Sequence, residues 1–158
     1  MPQTVNNENA VLCTECKGKC CQRFPGTYHP DDVLLEVEFM ATKMADGFWA
    51  VDNYVHFNGL ESKTIDFLRP ACKGAFPIYH ENFGGVECVF LRPAGCLLIF
   101  GARPQGCREL EPSRETCIGV NKHESAKWWA GYQQLLSDAV DRAQVILTSR
   151  KAKEVEDG

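Results

Sequence analysis

The chain has 158 residues, with 17 Lys and Arg against 21 Asp and Glu for a formal charge of −4, 44% hydrophobic residues and nine cysteines. That length suits one domain with a small core of its own, and the ordinary apolar and charged content excludes wholesale disorder. The acidic balance argues against a nucleic-acid partner, because such affinity rests on Lys and Arg neutralising phosphates and no basic run is longer than Arg150-Lys151.

The longest weakly polar run, Ala94 to Ala102, falls far short of the roughly 18 apolar residues of a membrane span, so no membrane partner is expected. The opening MPQTVNNENAVLC carries neither the basic cluster nor the apolar stretch of a secretory signal, and the expected location is cytoplasmic. A reducing compartment shifts the reading of cysteines away from structural disulfides and toward metal ligation or redox chemistry. Nine is also odd, so a closed disulfide framework would leave one thiol over.

In chain order, residues 1–12 form a polar lead, 13–150 the cysteine-cluster metal-binding domain and 151–158 a solvated, frayed tail. After the knot CTECKGKCCQRFPG, His29-Pro30-Asp31-Asp32 predicts a helix start, with Pro at the first helical position and two acids complementing the helix dipole. Val33, Val37, Met40 and Met44 continue it as one apolar stripe, with Gly47 as the stop. Aromatic and β-branched residues from Phe48 to Phe57 around Asp52-Asn53 predict a short hairpin, and Thr64 to Leu68 and Val86 to Leu91 two further strands. The Pro-, Gly- and Cys-rich stretch up to Cys117 is expected to be mostly loop.

A long C-terminal helix follows, with Asn121 as cap and Glu124 completing a capping box. Trp128, Tyr132, Leu135, Leu136, Ala139, Ala143, Ile146 and Leu147 share its core-facing stripe, whereas Trp129 lies off the stripe. No internal repeat is evident. The expected fold class is α+β: a small single domain with helices packed on a short antiparallel sheet and cysteine-rich loops joined at one end.

The chemistry centres on sulfur. Cys13, Cys16, Cys20 and Cys21 fall within nine residues, flanked by Lys17, Lys19 and Arg23, in a segment too polar to be buried by packing alone. A CxxC turn lets two thiolates reach one metal, and both Zn²⁺ and iron-sulfur clusters accept such ligands. Cys88, Cys96 and Cys107 form a second block with seven and ten intervening residues, spacings that belong to no common zinc finger or ferredoxin. Seven thiolates on a single Zn²⁺ would leave a local charge of about −5. Two zincs sharing one bridging thiolate use seven sulfurs; a cubane cluster uses four and leaves three. Lys17, Lys19, Arg23, Arg103 and Arg108 offset part of the excess charge in either case.

CTECKGKCCQRFPG, HPDDV, CVFL, GCLLIFGARP and CRELEP, in that order over Cys13 to Pro112, resemble the family of small bacterial proteins named for its CxxCxxCC motif and described as a zinc- or iron-chelating domain. The resemblance implies metal ligands at Cys13, Cys16, Cys20, Cys21, Cys88, Cys96 and Cys107, the seven that the count above also reaches. Here three residues precede the double cysteine where the motif has two. One related branch of longer chains is linked to iron-sulfur-dependent methylation of flagellin lysines; the metal is carried over and the reaction is not.

Cys72 and Cys117 lie outside that pattern and read as small buried apolar residues. His29 reads as a neighbour of its helix cap, His80 as a loop residue and Asp31-Asp32 as helix-start electrostatics. The expected function is therefore a metal-binding protein chelating zinc or iron, with an iron-sulfur cluster as one form of the iron. The alternatives are an iron-sulfur-dependent enzyme of methyl or electron transfer, against which stands the lack of a nucleotide or phosphate loop, and an interaction module presenting the Trp128-Trp129 surface on a metal-stabilised scaffold.

Overall fold

The computed structural model describes residues 26–73, 78–79, 87–93, 95–98, 100–108 and 122–157. Helix α1 spans Val37–Ala45, followed by strands β1 (Trp49–Asn58), β2 (Glu61–Pro70), β3 (Ile78–Tyr79), β4 (Leu91–Arg92) and β5 (Gly95–Cys96). A one-turn helix α2 (Gln105–Arg108) precedes α3 (Lys122–Trp129) and the long α4 (Gln133–Asp157). The fold is α+β, as expected: helices pack against an antiparallel hairpin.

The hairpin is not the one expected. Strand β1 runs unbroken through Asp52-Asn53 and pairs with β2 from Trp49 opposite Pro70 to Asn58 opposite Glu61. The turn falls at Gly59-Leu60, where Gly59 takes φ +65. A two-residue loop with glycine first suits the type II′ turn, whose twist matches that of the flanking strands. Asp52 does not mark a turn because its carboxylate is drawn inward, 3.0 Å from Arg69 on the neighbouring strand. The expected strand at Thr64 to Leu68 lies inside β2. Of the expected strand at Val86 to Leu91, Cys88 makes an isolated bridge and Leu91 opens β4. A parallel pairing of β3 with β1 completes the sheet order β2-β1-β3.

Burial divides the hairpin in two. Its base, Trp49 to Asp52 and Phe67 to Pro70, is buried, whereas its tip carries exposed Val55, Phe57 and Leu60. The base meets Met40, Ala41 and Met44 of α1 and Leu136, Ala139, Val140 and Ala143 of α4 in one core. These α4 residues recur at i, i+3, i+4 and i+7, the spacing of a single helix face. Trp128, Tyr132, Leu135, Ile146 and Leu147 pack at its margin. Gln133, at the start of α4, grips the backbone of β2 on both sides: its Oε1 accepts from Asp66 N at 2.9 Å and its Nε2 donates to Asp66 O at 2.8 Å.

Two helix boundaries differ from expectation. Pro30–Asp32 form only a 3₁₀ turn, closed by Asp32 accepting from His29 N, and the chain is extended again at Val33, so α1 begins at Val37. Gly47, with φ +81, follows the helix as the expected stop. At the other end, the tail is exposed but helical through Asp157, because KAKEVED is built largely of good helix formers. Ala130–Tyr132 tighten to a 3₁₀ turn that separates α3 from α4, and the expected cap Asn121 lies outside the described residues.

Trp129, expected off the core stripe and available to a partner, is fully buried, and its Nε1 donates to Tyr28 O at 2.7 Å. The 3₁₀ turn sets α3 off from α4, and Trp129 packs with Ser125 and Ala126 on α3's own buried face. Substituting Phe67, fully buried in the hairpin base, with alanine should lower unfolding free energy by about 3–5 kcal/mol. Phe57→Ala at the exposed tip should cost less than about 0.5 kcal/mol. Urea unfolding followed by circular dichroism checks both, and equal losses would contradict this division of the hairpin.

Candidate metal centre

The segment Gly26–Asp32 is laid against the loop that carries Cys107. Gly106 N donates to Thr27 O at 2.8 Å, and the two backbones touch at glycines. A methyl group at Gly106 would come within 2.5 Å of Thr27 N, and one at Gly26 within 2.5 Å of Cys107 Sγ. Both positions therefore need the missing side chain for a close approach of backbone to backbone. Thr27 is tied onward by a 2.6 Å contact between its Oγ1 and Ser125 Oγ of α3.

Asp32 locks this contact. Its Oδ1 lies 2.6 Å from Arg108 Nη2, while its Oδ2 accepts from Gln105 N at 2.7 Å and from His29 N at 2.8 Å. The two side chains are only 9% and 11% exposed. Arg108 also donates to Gln105 Oε1 at 2.5 Å and to Arg103 O. The expectation that Asp31-Asp32 serve helix-start electrostatics holds for the first turn and misses this second role: Asp32 fixes α2, and with it Cys107, to the segment that follows the N-terminal cysteines. His29, as expected, belongs to the cap, with Nδ1 accepting from Asp31 N.

Of the seven expected ligands, Cys13, Cys16, Cys20 and Cys21 lie outside the described residues, as do Cys117 and His80. Cys88 is buried and forms an antiparallel bridge with Cys72. Cys96 sits on β5 opposite Leu91, half-exposed, and Cys107 on α2, half-buried. None of Cys72, Cys88, Cys96 and Cys107 is joined in a disulfide. Cys88 and Cys107 both act electrostatically on Tyr28, whose pKa is raised first by burial and further by these two thiols and Asp32. Among the described residues, no three His, Cys, Asp or Glu side chains gather as a metal-holding group.

Beside these cysteines sits the ion pair Asp52–Arg69, with side chains 5% and 4% exposed. Asp52 Oδ2 is 3.0 Å from Arg69 Nη2 and 3.4 Å from Lys122 Nζ, contacts of charge without hydrogen-bond alignment. Arg69 Nε and Nη1 are buried with no hydrogen-bond partner among the described residues. Burial lowers the Arg69 pKa, and Asp52, Cys72, Cys107 and Cys88 counter it. The Cys72 thiol is raised by burial, pulled back by Arg69 and raised again by Asp52.

No family model, curated protein or solved structure matches the chain. No helix among the described residues is long and apolar enough to cross a membrane.

Soft thiolates in general select zinc or iron, and Arg69 keeps Nε and Nη1 without a hydrogen-bond partner among the described residues. Asp32→Ala should cost about 3–5 kcal/mol, because it leaves Arg108 buried without its carboxylate, and should speed alkylation of Cys107. A loss below about 1 kcal/mol in urea unfolding, with unchanged Cys107 labelling, would show that the pair does not hold the loop.

Proposed function

We propose that the chain is a zinc- or iron-binding protein in which Cys13, Cys16, Cys20 and Cys21 join Cys88, Cys96 and Cys107 in a sulfur-rich centre. The observation that carries this reading is the contact of Gly26 with Cys107. Gly26 follows Cys21 by five residues, a span of at most about 18 Å even when fully extended. Cys21 is thus tethered within that distance of the glycine that touches Cys107. The resemblance to the CxxCxxCC chelating family supports the same seven ligands.

Closed all-sulfur coordination favours a structural, storage, sensing or delivery role, since a catalytic zinc keeps a position for water. Arg69 and Arg108 would offset part of the thiolate charge. Among the described residues no three such side chains gather as a metal-holding group, and in this reading the N-terminal quartet supplies the remaining donors. Binding energy at such a site becomes folding energy, because the unfolded chain holds no preformed site.

Anaerobically purified protein should carry either about two zincs per chain or iron with sulfide and broad visible absorbance. Removing the metal with a chelator should lower the thermal midpoint by at least ~5 °C. Protein that carries neither metal and whose unfolding is indifferent to chelators would overturn the reading.

A further inference from the structure

Cys72, left outside the expected ligand set, stands directly opposite Cys88. Lys73 N donates to Glu87 O and Val89 N to Ala71 O, each at 2.8 Å, so the ladder bonds flank the two cysteines instead of joining them. In such a pair the side chains stand closest, with Cα atoms about 4.5 Å apart and Cβ atoms roughly 4.5–5.5 Å apart. Two thiolates on one tetrahedral zinc, each at about 2.3 Å, are about 3.8 Å from one another. A cross-strand pair of this kind suits two sulfurs that share one ion.

Two independent observations point to the same place. The Arg69 side chain is 96% buried, keeps Nε and Nη1 without a partner among the described residues, and acts electrostatically on Cys72, Cys107 and Cys88. Unmade hydrogen bonds from a buried guanidinium are costly unless an anionic acceptor sits beside it. The second observation is a short recurring motif. Leu68-Arg69-Pro70-Ala71-Cys72 recurs as Leu91-Arg92-Pro93-Ala94-Gly95-Cys96, and Arg103-Pro104-Gln105-Gly106-Cys107 follows the same form. Each of these three cysteines comes three or four residues after the arginine of an Arg-Pro pair, and two of them are already in the expected ligand set.

We infer that Cys72 is a further metal ligand, sharing one zinc or iron ion with Cys88, and that Arg69 donates its unpartnered N–H groups to their thiolates. On binding, each thiol releases its proton to solvent as the sulfur–metal bond forms. With Cys72 the donors number eight, enough for two four-sulfur sites with no bridging sulfur. The inference rests on the chelation reading above.

Cobalt(II) titration of the full chain, followed by the sulfur-to-cobalt charge-transfer band, separates the two. Cys72→Ser and Cys88→Ser should each lower the band by a similar amount, about one eighth of the whole at saturation, while Cys117→Ser leaves it unchanged. Where the serine variant does not fold, Cys72→Ala, with its far-UV circular dichroism as the folding control, gives the same readout. A wild-type band in either folded Cys72 variant, beside a reduced band in Cys88→Ser, overturns the inference and leaves the chelation reading standing. A wild-type chain that gives no such band overturns both.

Discussion

Two backbones meet at glycines, Gly26 against Cys107 and Gly106 against Thr27, and the position of Cys107 depends on that contact. Close approach alone gains little, since a glycine loses more conformational freedom on folding than any other residue. The approach is held by what surrounds it: the Asp32–Arg108 pair with its two backbone donors, the Thr27–Ser125 contact and the bond from Trp129 to Tyr28 O. A segment with no regular helix or strand of its own is thereby fixed to α2 on one side and α3 on the other.

Charge is the second constraint. The Asp52–Arg69 pair is buried beside the base of the hairpin, where pairing must offset a large desolvation cost. Asp52 does so incompletely, because two Arg69 nitrogens are left without hydrogen bonds among the described residues. A guanidinium in that state is a poor choice for stability alone. The hairpin thus has two physical characters along its length, an apolar and ionic base inside the protein and a tip that projects Phe57 and Leu60 into solvent.

The long C-terminal helix was legible because its apolar stripe is periodic over many turns, and the fold class because helical and strand-like patterns follow one another in the chain. Asp52-Asn53 misled, since a polar pair between β-branched residues looks the same whether it turns the chain or reaches across to a buried arginine. The better turn signal was Asn58-Gly59, six residues further on, where Gly59 supplies the positive φ. Trp129 escaped the stripe because a 3₁₀ turn at Ala130–Tyr132 changes the phase of the helix after it, and periodicity cannot foresee a phase change. The expected ligands Cys88, Cys96 and Cys107 rest on their combination with the first block and on family resemblance, whereas the ion pairs found near them, Asp32 to Arg108 and Asp52 to Arg69, lie 76 and 17 residues apart in sequence. Only the repeated Arg-Pro before Cys72 could have drawn that residue into the set.

Cysteine labelling resolved by mass spectrometry, on the protein as purified and after chelation, tests most directly whether sulfur from both ends of this contact binds the same metal. Shared coordination predicts that Cys13, Cys16, Cys20 and Cys21 are protected together with Cys88, Cys96 and Cys107, and that all become reactive together once the metal is removed. An N-terminal quartet that labels at one rate with and without metal, while the later cysteines change, would contradict the account.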